Sequence, residues 1–131
     1  MNIELKQKID DELDWLIEDG KKLIDDKWES IKKENVEEAQ MRNLLEMGTT
    51  SDSLKALELF IQYQIGRRKL PKDFGNQLIQ KINVLTNKAS EISKNHSEHK
   101  KEVLLRLVRQ YLGHMNRYFV YRKKISTGEI K

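Results

Sequence analysis

Apolar residues recur at helical spacing along almost the whole chain, and a single proline, Pro71, interrupts it. Residues three and four apart share a helix face, whereas strands need alternation with a period of two, which is rare here. The pattern predicts an all-α fold, a single-domain bundle of about five helices. The length of 131 residues suits one domain. A hydrophobic share of 37% is enough for one core that buries roughly two-thirds of the unfolded surface.

The first predicted helix spans residues 3–34, with its seam on Leu5, Ile9, Leu13, Leu16, Ile17, Leu23, Ile24, Trp28 and Ile31. Gly20 lies inside it and marks a kink or a break into a helix pair. Asn35 with Glu38 reads as a capping box for a second helix that stops at Gly48. A third helix follows the N-cap candidates of residues 49–53 and ends at Ile65-Gly66. Apart from a strip of Lys55, Glu58 and Gln62 it is apolar on most sides, which predicts a place at the centre of the bundle. A fourth helix is expected from Asp73 to Asn95 and a fifth from Ser97 to Lys124. The organisation expected is an acidic N-terminal helix or helix pair (1–34), a basic helical core (35–124) and a disordered tail (125–131).

Composition excludes several functions. There are no cysteines, which removes disulfides, thiolate zinc sites and cysteine nucleophiles and suits a reducing cytoplasm. No apolar run of 18 residues and no signal-peptide pattern occurs, so a cytoplasmic protein without a membrane span is expected. The charge is unevenly spread. Residues 1–40 carry 13 acids and 7 bases, while residues 41–131 carry 18 bases and 8 acids. A basic remainder of that kind points to a negatively charged partner, most often nucleic acid.

The last helix carries the most informative pattern. Leu104, Leu105, Leu107, Val108, Tyr111, Leu112, Met115, Tyr118 and Phe119 fall in one arc, the core face. Arg106, Arg109, Gly113, Arg117 and Lys124 fall on the opposite stripe. Glu102 is the one acid in residues 99–124, against eight Lys and Arg. Unpaired, that stripe would track a phosphate backbone, with Gly113 allowing close approach. A solubilising face, or one that pairs with acids elsewhere, explains the same pattern. A second basic cluster is Arg67, Arg68, Lys69 and Lys72. Arginine forks there suit bidentate phosphate contacts, and bases at a helix end also complement its dipole.

Catalytic signatures are sparse. The sequence holds no phosphate-cradling glycine loop, His-Glu-x-x-His pair or Gly-x-Ser-x-Gly elbow. His96 and His99 have a metal-compatible spacing without a third ligand, so no metal and no cofactor is expected. Arg109 to His114 forms an Arg-x4-His pattern that resembles the motif of the helical HEPN ribonucleases. On a continuous helix those two side chains diverge by about 140°, so a break at Gly113 is needed to join them.

Three further segments resemble, in order and spacing, the small helical subunit of type III-A CRISPR effector complexes. They are Gln40-Met41-Arg42-Asn43-Leu44-Leu45, the Tyr63-x-x-Gly66-Arg67 helix end, and residues 105–121 with Tyr111, Tyr118 and Phe119. The resemblance covers about residues 35–124. Glu38-Ala39 and Gly113-His114 depart from the family pattern, as does Arg117. The resemblance implies a non-enzymatic structural subunit that stacks with copies of itself and other subunits of the effector complex. It would hold guide RNA and target RNA through the backbone, without sequence specificity. It carries over Arg42 and Arg67 as RNA contacts, with Asn43 beside Arg42, Tyr63 packed and Gly66 ending its helix. The charge reading adds Arg68, Lys69, Lys72, Arg109 and Arg117. The other readings are the HEPN-like ribonuclease using Arg109 and His114, and a helical protein–protein adaptor in which exposed Trp and Tyr matter.

Overall fold

The structure, a computed structural model, describes residues 1–130. Its elements are α1 (Ile3–Asp10), α2 (Leu13–Asp26), α3 (Trp28–Lys33), α4 (Glu38–Thr50), α5 (Leu54–Gly66), α6 (Lys72–Ile92), a 3-10 turn (Ser97–His99) and α7 (Lys100–Ser126). No strand occurs among the described residues, and none of their helices is long and apolar enough to cross a membrane. The chain forms one all-α domain, as its periodicity predicts.

The 27-residue α7 is the axis of the bundle. It is about 40 Å long and packs against α2, α4 and α6. Eight of its nine expected core residues are buried, and Tyr118 is half-buried. Close approach explains two glycines that sequence spacing misreads. Gly20 neither kinks nor breaks α2. It is buried in mid-helix, and a Cβ there would stand 3.5 Å from Met115 Cβ. Gly48 does not stop α4, which runs on to Thr50. It is buried against Leu112, whose Cδ1 lies 2.5 Å from where a Cβ would stand.

The breaks in the first segment fall elsewhere. α1 ends at Asp10 and α2 begins at Leu13, with the acidic run Asp10-Asp11-Glu12 at the joint. Lys27 separates α2 from α3. The seam residues Leu5, Ile9, Leu16, Leu23, Ile24, Trp28 and Ile31 are all buried. Three short helices let one seam wrap around α7 where a straight rod would leave it. Asn35 is not an N-cap. It adopts the left-handed conformation (φ 51°) that closes α3, with Asn35 N donating to Lys32 O and Val36 N to Ile31 O. This is the Schellman pattern, and Val36 and Ile31, the pair it brings together, are both buried.

The helix expected at the centre lies at the edge. α5 has α4 and α6 as its main partners. It buries Leu57, Ile61 and Gln64, and leaves Leu59 66% and Tyr63 57% exposed. Short connections hold α5 at one corner, so its surplus apolar surface faces out. The last helix runs past the boundary expected at Lys124. Ile125 and Ser126 belong to α7, and a second Schellman closure at Gly128 (φ 77°) orders the following turn. Lys131 lies outside the described residues.

The glycines separate in consequence. A Cβ at Gly75 would meet Ile65 Cδ1 at 2.5 Å and Ile61 Cγ2 at 3.3 Å, whereas one at Gly66 meets nothing within 4 Å. Gly75→Ala is expected to cost about 1–3 kcal/mol in urea denaturation. Gly66→Ala should raise stability by about 0.5 kcal/mol.

Candidate nucleic-acid interface

The fold sorts the basic residues into those it uses and those it leaves free. Lys81 pairs with Asp19 at 3.1 Å and Lys88 with Glu12 at 3.0 Å. The Lys88 ammonium also sits 4.2 Å above the half-buried Trp15 ring. Arg122 pairs with Asp25 and lies over the buried Trp28. Tyr111 and Tyr118 donate their hydroxyls to Asp19 and Asp25. Burial and the Asp19 hydrogen bond push the Tyr111 phenol far above its ordinary value. Much of the acidity of the first third is thus spent inside the domain, and neither tryptophan is an exposed docking group.

The arginine stripe of the last helix is largely neutralised. Arg106 pairs with Glu102 one turn away at 3.7 Å. Arg109 donates from Nε to Gly48 O at 3.0 Å, and its guanidinium reaches Asp52 at 3.4 Å. Lys124 reaches Glu38 at 3.4 Å and Glu129 at 2.8 Å. Arg117 alone of the four pairs with no acid among the described residues, and it lies near His114 Nδ1 at 3.4 Å. Asp52 and Glu38 come from other elements, so a projection of one helix does not reveal them. Gly113 faces Leu45, whose Cδ1 is 3.9 Å from where a Cβ would stand.

α7 runs unbroken through Gly113. Arg109 and His114 line one open groove with Arg117, but the Arg109 guanidinium is already engaged by Gly48 and Asp52. Burial, then Arg117, holds the His114 imidazole below its ordinary value. His96 faces Glu4 at 3.6 Å, and His99 sits between Glu98 and Glu102.

Arg42, Arg67, Arg68, Lys69 and Lys72 are exposed, and none forms a salt bridge within the described residues. Three of the five, Arg67, Arg68 and Lys69, occupy the turn from α5 to α6, and Lys72 opens α6. That turn is a third Schellman closure: Arg68 N donates to Ile65 O at 3.0 Å and Lys69 N to Gln64 O at 2.9 Å. The residue held left-handed is Arg68 (φ 60°), two positions beyond the glycine that sequence marks as the stop. An L-residue there costs roughly 1–2 kcal/mol. Buried Leu70 and Pro71 pin the inner side of the turn, and the bases stand outside.

The Arg67 guanidinium lies 5.3 Å from the Tyr63 ring centre, so Tyr63 is an exposed stacking partner rather than a packed residue. Asn43 of α4 lines the same open groove as Tyr63 and Arg67. Arg42, its neighbour, is exposed on α4. Arg68 and Lys69 line a second shallow groove with the acids Glu34 and Glu37. Sequence reading missed Gln64, which shares the buried face of α5 with Leu57 and Ile61. A polar residue at apolar spacing was the available signal.

No protein-family model, curated protein or solved structure matches this chain.

Relief of the left-handed backbone gives a direct check on the turn. Arg68→Gly should raise unfolding stability by about 1 kcal/mol, measured by denaturant titration, while Arg68→Ala should not.

Proposed function

We propose that this chain is a non-catalytic, RNA-binding structural subunit that holds RNA by its backbone. The observation that carries the reading is the α5–α6 turn. It gathers Arg67, Arg68, Lys69 and Lys72, none of which forms a salt bridge within the described residues. The turn keeps an arginine where glycine would be more stable, and such cost is typical of positions retained for function. Arginine forks and lysine ammonium groups there neutralise phosphates and release counterions. Arg42 adds to this surface from α4. Arg117 lies on the separate α7 groove and contributes less.

The resemblance of residues 35–124 extends the proposal to the assembly. The subunit belongs to a type III CRISPR interference complex, beside copies of itself and other subunits, on guide and target RNA. Sequence is then read by base pairing, and the protein supplies grip. Glu34 and Glu37, next to Arg68 and Lys69, temper that grip.

Binding of a fluorescent single-stranded RNA of about 30 nucleotides across a salt series tests this. Log affinity should fall linearly with log salt. Arg67→Ala with Lys69→Ala should lower that slope by roughly 0.7 per lost phosphate contact. RNA left intact in chelator is expected. Cleavage that disappears in His114→Ala would replace this reading with a ribonuclease.

A further inference from the structure

Gln64 is 4% exposed, yet its Oε1 has no hydrogen-bond partner. Leaving a buried acceptor unpaired is costly, so one in a native fold needs a reason. Gln64 lines the open groove between α4 and α5. Met47 and Phe60 supply apolar lining, and Tyr63 brings an aromatic ring with the Arg67 guanidinium over it. Asn43 brings a second amide from α4. An aromatic ring, a guanidinium plane, apolar lining and two amides suit a flat ligand with π-faces and a polar edge.

We infer that this groove takes one unstacked base of a single-stranded RNA, with guanine the best fit. The inference rests on the RNA-binding reading above and adds a base-binding site to it. Unpaired bases stack on aromatic rings and on arginine planes, and expose their Watson–Crick edge to amides. The terminal torsion of a glutamine is soft, so a half-turn would present the Gln64 oxygen to the groove without backbone movement. Glu46 also lines the groove. Gln64 Oε1 and the Glu46 carboxylate are both acceptors, matched by the N1–H and the exocyclic amine of guanine. The Asn43 amide then donates to O6. Uracil offers one N–H between two carbonyls, and a carbonyl beside Glu46 is repelled. Arg68 and Lys69 follow directly in the α5–α6 turn, where they hold the flanking phosphates. A fully paired duplex offers no such base, so the groove serves single-stranded stretches or flipped-out nucleotides.

The test compares two labelled RNAs of about 12 nucleotides by fluorescence anisotropy, one all uracil and one with isolated guanines among uracils. Wild-type protein should bind the guanine RNA about tenfold more tightly. Asn43→Ala, a change on the groove wall, and Gln64→Met should each erase that preference by lowering the affinity for the guanine RNA to that for the uracil RNA. Circular dichroism checks the fold, and Asn43→Ala keeps the test decisive if Gln64→Met unfolds. Arg68→Ala with Lys69→Ala should weaken both RNAs equally. Equal, salt-dependent binding of the two RNAs by wild type overturns the base site and leaves backbone binding standing. No binding of either RNA at about 50 mM salt overturns both readings. Binding of free guanosine monophosphate with no preference between the RNAs overturns the RNA assignment in favour of a free nucleotide.

Discussion

The burial of α7 is the constraint on which the rest of the structure depends. Val103, Leu104, Leu107, Val108, Tyr111, Leu112, Met115 and Phe119 are buried along it, each contributing roughly 1.5–3 kcal/mol by removal from water. Its most extensive contacts are with three long neighbours, α2, α4 and α6. α2 and α4 reach it closely because each presents a glycine to a large α7 side chain, Gly20 to Met115 and Gly48 to Leu112. The Gly48 contact also delivers a carbonyl oxygen to Arg109, so one close approach fixes both packing and the fate of a charge. With α7 covered by α2, α4 and α6, the apolar α5 is left at a corner.

That placement explains the charge distribution. Wrapping α1–α3 around α7 brings Glu12, Asp19 and Asp25 to Lys88, Lys81 and Arg122, partly shielded from water, where ion pairs hold better than on an open surface. Four of the bases left without an acid among the described residues stand together where the chain turns from α5 into α6. Arg68 sits there in a left-handed conformation that glycine adopts more cheaply. The same corner holds the unpaired Gln64 oxygen and the exposed Tyr63. A left-handed arginine, one of three unpaired buried amide oxygens and an exposed tyrosine therefore share this corner with four bases that no acid pairs among the described residues. Such conflicts between local preference and fold gather at sites that bind something.

Parts of this site were legible from residue order. Arg67, Arg68, Lys69 and Lys72 stand out as a run, and all four are exposed and unpaired. The arginines of α7 stand out equally well, but three of the four stripe positions are tied to acids. The difference lies in Asp52 and Glu38, which are remote in sequence from their partners. Gln64 escaped notice because its neighbours Leu57 and Ile61 share its face, and a face is visible only when spacing and burial are read together.

By itself the sequence determined the helical class and the core face of α7, because these depend on the spacing of residues along a single element. It also determined that the second half is basic. The tertiary structure decided which helix is central, which glycines mark close contacts rather than ends, and which charges remain free. Each of those depends on what a neighbouring element brings within a few ångströms, and a helical period carries no information about its neighbours.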